Sequence, residues 1–132
     1  MKTTFAYIAG FIDGEGYLGL AVRKNSFKAR LMISNCNLEL LKHIQKIIGG
    51  YISKKSKRDG WTQGYNLTVG YLETWLPEVL PYLVGKKEKA KLLLEATKLL
   101  NERKKKTNMA GDLNLKRLQE INLLLRKKEW LI

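Results

Sequence analysis

The chain has 132 residues and a 45% hydrophobic content, enough for one domain with its own core and too much for a disordered tail. Its 25 Lys and Arg against 12 Asp and Glu leave a net charge of +13, which favours a polyanionic partner, nucleic acid ahead of an anionic membrane surface. No apolar run approaches the roughly 18 residues of a membrane span, the opening MKTTFAYIAGF has no cleavage-site pattern, and one Cys36 with one His43 excludes an intrachain disulfide or a Cys/His zinc cage. An intracellular setting is expected, with Cys36 as a small buried residue.

Along the chain, Thr3 or Thr4 is placed to cap a first helix whose apolar stripe is Phe5, Ile8 and Ile12 and which runs to about Gly14. The period then changes from helical to two. YLGLAVRK (17–24) and FKARLMIS (27–34) flank the turn signal KNS and read as a hairpin. Leu18, Leu20, Val22, Phe27, Ala29, Leu31 and Ile33 fall on one face, and Tyr17, Arg23, Lys28, Arg30, Met32 and Ser34 on the other. Asn35 or Asn37 caps a second helix with Leu38, Leu41, Ile44, Ile47 and Ile48 inward, stopped by Gly49-Gly50. A second hairpin follows, YISKKSK (51–57), the turn RDG, and WTQGYNLTVGY (61–71), with Ser53, Lys55, Lys57, Thr62, Asn66 and Thr68 available to one face. From LETWLPEVLPYL onward the pattern is helical: Pro77 and Pro81 break it early, residues 86–106 form a long amphipathic helix, and Asp112 caps a last one through Arg126. Helix, hairpin, helix, hairpin, helices is an α+β order with a four-stranded antiparallel sheet, over residues 1–132 as a single domain.

The charges are unevenly placed, and the sheet region is more one-sided than residues 86–128, which hold fourteen Lys and Arg against five acids. Residues 17–71 hold ten Lys and Arg against two acids, Glu39 and Asp59. One polar strand face is commonly just solvated, but four adjoining strands with basic and hydroxyl-bearing side chains form a surface that follows a nucleic-acid groove. Lys24 and Arg58, at the two turns, extend it.

The first helix carries a second stripe. Ala6, Gly10 and Gly14 lie at i, i+4 and i+8, with Ala9 and Asp13 alongside, so one side is nearly smooth and another backbone can approach it. Spacing alone leaves two partners open, a helix of this chain or the same helix of a second copy. Asp13 and Glu15 stand at the negative end of the helix dipole, where carboxylates are disfavoured, and the next Lys or Arg is Arg23. A divalent cation answers that charge, the more so if two copies bring two carboxylate pairs together.

Residues 8–16, IAGFIDGEG, resemble the signature of the LAGLIDADG homing endonucleases, and the order of elements over nearly the whole chain resembles that family's single-motif members. The resemblance implies a homodimer, since two motifs make one active site, with Ala6, Ala9, Gly10, Asp13 and Gly14 at the seam. It implies that Glu15 binds the metal together with the Gly14 carbonyl, and that Asp13 is structural, its ligand status open. Asn35 falls where the family commonly has a Gln that holds water, a departure with shorter reach. A basic residue near the scissile phosphate matches Lys86, with Lys87 as competitor.

The function so implied is site-specific cleavage of a long, near-palindromic double-stranded DNA site by phosphodiester hydrolysis. Mg²⁺ is the expected cofactor, Mn²⁺ a substitute, and Ca²⁺ an ion that binds without supporting cleavage. Tyr17, Arg23, Lys24, Lys28, Arg30, Met32, Ser34, Ser53, Lys55, Lys57, Arg58, Thr62, Asn66 and Thr68 are the expected DNA-facing residues. The alternative is a non-cleaving nucleic-acid-binding protein, an RNA splicing cofactor or DNA-binding regulator, which the same basic sheet would serve. Retention of Glu15 favours the nuclease. A membrane-binding reading lacks an amphipathic helix with unclaimed Trp or Phe opposite lysines.

Overall fold

The computed structural model describes residues 2–23, 26–105 and 109–126. The elements run α1 (Lys2–Glu15), β1 (Gly16–Arg23), β2 (Ser26–Asn35), α2 (Leu38–Ile48), β3 (Tyr51–Lys54), β4 (Tyr65–Val69), α3 (Leu72–Val79), a 3-10 turn (Leu80–Tyr82), α4 (Lys87–Lys105) and α5 (Met109–Leu125). This is the expected α+β order. The four strands form one antiparallel sheet in the order β1-β2-β4-β3, so each hairpin contributes one edge strand and one central strand.

Register fixes the two faces. Leu18 pairs with Leu31, Leu20 with Ala29, Ile33 with Leu67 and Leu67 with Ile52, which puts the apolar positions of all four strands on one side. That side meets Ile8 and Ile12 of α1, Leu41 and Ile44 of α2, Leu76 of α3 and Leu93 of α4 in a single core. The period-two reading of the first hairpin therefore holds, although Val22, at the far end of β1, is 47% exposed. Burying one face only is what frees the other to be polar.

Several local expectations need correction. α1 already begins at Lys2, so Thr3 and Thr4 lie within its first turn instead of capping it. The second hairpin is shorter in strand and longer in loop than its sequence reads: β3 stops at Lys54 and β4 starts at Tyr65, which leaves Lys55, Lys57, Arg58 and Thr62 in the connection. Pro77 lies inside α3 and Pro81 in the 3-10 turn that follows. Asp112 falls within α5 and does not cap it. Cys36 is exposed, because it stands in the tight passage from β2 to α2 and not on a strand face or helix stripe.

Asn37 caps α2 by accepting a hydrogen bond from the Leu40 N–H at 3.1 Å, and Gly49 closes it with φ +86°. Gly50 continues at φ +99°, and a Cβ there would sit 2.5 Å from the Thr68 carbonyl oxygen, so the chain turns into β3 only with glycine at that point. Farther along, Arg117 of α5 forks onto Glu95 of α4 and also reaches Glu120, and its hydrogen bonds hold the Glu95 carboxyl below the usual carboxylate range. No helix among the described residues is long and apolar enough to cross a membrane.

Candidate active site and nucleic-acid face

The site grows from the last turn of α1. Ile8 and Ile12 face the core and fix the helix rotation, and the same rotation buries Ala9 completely. Ala9 is thus a core residue of its own chain and not part of the smooth stripe, a correction that follows from its place one residue after Ile8. Ala6, Gly10 and Gly14 are exposed, and a Cβ built on Gly10 or Gly14 would meet nothing within 4 Å. The stripe therefore has no partner helix among the described residues of this chain.

Two carboxylates at the helix end have opposite fates. Asp13 accepts the Val84 N–H at 2.8 Å on one oxygen and the Lys86 N–H at 2.9 Å on the other. It thereby anchors the turn that leads into α4. Lys86 closes the clamp from the other direction, since its ammonium donates to the Asp13 carbonyl oxygen at 2.8 Å. Burial lowers the Lys86 pKa below the ordinary lysine value; the Asp13 charge opposes that shift and Lys89 adds to it. Of the two candidate lysines it is Lys86 that this clamp ties to the motif, while Lys87 opens α4.

Glu15 is left exposed, with no ion pair among the described residues. Among the described residues its side-chain partner is Asn35, whose Nδ2 donates to Oε2 at 3.0 Å, while Asn35 Oδ1 accepts the Asn37 N–H at 2.7 Å. Those two contacts orient the amide and tie the acid to the cap of α2. Asn35 spends its amide on aiming Glu15, a positioning role that sequence spacing did not reveal. Asn37, read from sequence only as a helix cap, is the support behind it. Among the described residues no group of three His, Cys, Asp or Glu side chains could hold a metal. The oxygen donors here are the Glu15 carboxylate and the adjacent Gly14 carbonyl, both hard ligands suited to Mg²⁺ or Ca²⁺.

The polar sheet face is built by the same register. Ser34 stands opposite Asn66 and donates to its Oδ1 at 2.5 Å, and Asn66 stands opposite Ser53. Lys28 and Ser34 are exposed and Arg30 and Met32 are half-buried. Thr68 belongs to this face but is only 7% exposed, because it is flanked by Met32 on one side and Tyr51 on the other in the central strand. It is therefore buried, not presented. Tyr17 is exposed and its ring lies across Gly19, where a Cβ would come within 2.6 Å of the phenol oxygen. The side chain of Arg23 and all of Lys24 lie outside the described residues. Sequence reasoning passed over Tyr51 and Trp61, both more than half exposed; their place beside the basic positions of the second hairpin was the available signal.

With this geometry in hand, the family model of the LAGLIDADG endonucleases matches residues 8–87, from the motif helix through the clamp lysine. The chain belongs to the LAGLIDADG endonuclease family. DNA endonuclease I-CvuI of Chlorella vulgaris is 31% identical over 106 residues, 73% of this chain and 65% of the relative's length. A crystal structure of I-CvuI in complex with its target in the presence of calcium superposes with a TM-score of 0.69 at 27% identity, over 97% of this chain and 85% of that one. The archaeal intron-encoded homing endonuclease I-Vdi141I, complexed with DNA, has the same fold at a TM-score of 0.74 and 18% identity, over 96% and 86% of the two chains. The family membership accounts for the element order and for the carboxylate at the end of α1.

Proposed function

We propose that this LAGLIDADG chain is a site-specific double-strand DNA endonuclease that acts as a homodimer on a near-palindromic site, inside the cell. The observation that carries this reading is the pairing of two separately braced groups at one helix end: Glu15 aimed by Asn35, and Lys86 aimed by Asp13. A lone carboxylate and one carbonyl are too few donors for a divalent ion, so a second copy across the open Ala6–Gly10–Gly14 stripe and the DNA phosphates complete the set. The relative I-CvuI has been crystallised with DNA in the presence of calcium and, with the DNA uncleaved, in the presence of magnesium, which supports use of a divalent ion.

Glu15 and the Gly14 carbonyl would hold the ion, which when bound supplies Lewis-acid stabilisation of charge on the scissile phosphate. Asn35 keeps the Glu15 carboxylate pointed outward, and the Lys86 ammonium, when protonated, lies beside the motif to offset negative charge at that phosphate. Lys28, Arg30, Ser34, Ser53 and Asn66 face the major groove, where cations hold phosphates and amide or hydroxyl groups read base edges. No side-chain nucleophile is needed.

The test is incubation of the full chain with double-stranded DNA libraries in Mg²⁺ and separately in Ca²⁺, followed by sequencing of ends. Staggered cuts at one near-palindromic site in Mg²⁺ alone are expected. Tight duplex binding with no cut in Mg²⁺ or Mn²⁺ would replace this reading with a binding-only protein, and selective RNA retention would direct it to splicing.

A further inference from the structure

The loop between β3 and β4, residues 55–64, is long for a hairpin connection yet firmly built. At its base the Lys55 N–H donates to the Gly64 carbonyl at 3.0 Å, and the Gln63 side chain donates to the carbonyls of Lys55 and Gly64, both at 2.8 Å. At its tip the Trp61 N–H donates to the Arg58 carbonyl at 3.0 Å, a turn made possible by Gly60 at φ +81°. This is a pinned four-residue turn on a clamped stem.

What the turn displays is unexplained by the fold. Trp61 is 65% exposed, whereas Trp75 is buried with its indole N–H bonded to the Gly70 carbonyl. The Arg58 guanidinium lies 5.7 Å from the Trp61 ring centroid. A guanidinium held over a ring face by its positive charge leaves its N–H groups for another partner, and among the described residues Arg58 has no carboxylate or hydrogen-bond acceptor. Lys54, Lys55 and Lys57 precede the pair along the same hairpin and are exposed, against one acid, Asp59, so the loop as a whole carries positive charge that attracts an anion.

Its place in the fold is also informative. The loop leaves from Lys54 and returns at Tyr65; Tyr65 pairs with Asn35, and Asn35 holds Glu15. The tip therefore hangs from the same end of the sheet as the acid, opposite the β1–β2 connection.

We propose that Arg58 reads a guanine through two parallel hydrogen bonds to O6 and N7 in the major groove, and that Trp61 is the positioning residue that holds the Arg58 fork for that contact. The guanine lies in each half-site nearer the cut than positions met by the β1–β2 end of the sheet. This rests on the endonuclease reading and adds to it a specificity determinant.

The experiment selects bound and cut duplexes from a randomised DNA library with the full chain and with the variants Arg58→Lys, Trp61→Leu and Trp61→Phe, each checked for native circular dichroism. Both positions are exposed, so folding should be unaffected. Arg58→Lys keeps the charge but lacks the fork; it should retain the salt slope and lose about tenfold or more in preference for guanine at one symmetric position. Trp61→Leu should lower the same preference several-fold, while Trp61→Phe, which keeps an aromatic face, should preserve it. Unchanged preferences in Arg58→Lys, with a wild type that selects a site, would overturn this inference alone. A Trp61→Leu profile identical to wild type would overturn the role of Trp61, and a wild type that selects no site would overturn the endonuclease reading together with it.

Discussion

The C-terminal end of α1 and the polar face of the sheet handle their charges in contrasting ways. At the helix end each charged or amide group is braced within the chain: Asp13 by two backbone N–H groups, Lys86 by the Asp13 carbonyl, Glu15 by Asn35, and Asn35 by Asn37. On the sheet and its loop Lys28, Arg30, Lys54, Lys55, Lys57 and Arg58 have no carboxylate within ion-pairing distance among the described residues. Preorganisation belongs where atoms react, because misplacement there removes transition-state stabilisation. Unpaired cations belong where a long polyanion binds, since each contact adds a modest, salt-dependent increment. The contrast predicts steep losses from changes at the helix end and graded ones from changes on the sheet.

The steepest should come from Glu15→Gln, which keeps shape and removes the charge that would hold the metal. Cleavage of the selected site in Mg²⁺ should fall by several orders of magnitude, as expected for loss of a catalytic metal's electrostatic contribution, while filter binding shows duplex affinity equal or higher. Wild-type cutting by this variant would break the comparison at its centre.

Next is Gly10→Leu. A Cβ at that position meets no atom of its own chain, and leucine replaces glycine inside a helix, so thermal unfolding should show a native or slightly more stable fold, by about 0.5–1 kcal/mol. Sedimentation should nonetheless show monomers, with cleavage lost. A dimer that survives would move the seam away from α1.

Asp13→Asn removes the charge and one of two acceptors for backbone N–H groups between Val84 and Lys86. Urea unfolding should show a loss of about 1–3 kcal/mol, the usual cost of stranding such a donor. Full stability with abolished cleavage would instead make Asp13 a metal ligand.

On the sheet, Lys28→Ala and Arg30→Ala should weaken binding smoothly. A side chain on phosphate should reduce the slope of log affinity against log salt by about one per contact in each subunit, and one on a base should relax preference at symmetric positions. If neither quantity moves for either variant, the DNA face is not this one.

The smallest effect concerns pH. Burial lowers the Lys86 pKa from 10.5, so the native ammonium loses its proton earlier than a free lysine as pH rises. The alkaline limb of kcat/KM, which reports the free protein, should therefore fall before 10.5 and move upward in Lys86→Arg. Unfolding through this group is not the cause, because between the native pKa and 10.5 the unfolded chain binds more protons and stability rises with pH. An alkaline limb at the ordinary lysine value would show that Lys86 does not govern it.

Much of this was legible in the sequence for a local reason. Alternation in residues 17–34 placed both faces of the first hairpin, and Asn37 with Gly49 bracketed α2, because strand parity and helix caps act over a few residues. What was hidden is long-range or irregular. The Asp13 clamp spans 71 and 73 residues, and no periodicity announces it. Thr68 lies on the expected face but is buried there, in the central strand between Met32 and Tyr51 of its neighbours, which strand parity does not foretell. Cys36 is exposed because of the turn that holds it, which residue type alone does not show, and the loop ends of the second hairpin blurred because a single Lys55–Gly64 backbone bond and the Gln63 side chain, not a run of strand pairs, secure them.

That exposed thiol gives the chain a spectroscopic handle. Cys36 is the only cysteine in the sequence and adjoins Asn35, so a nitroxide attached there reports from one residue beyond the side chain that aims Glu15. In the proposed homodimer each copy would carry one spin, so a single inter-spin distance on the substrate would measure across the proposed cleavage centre with no engineered cysteine.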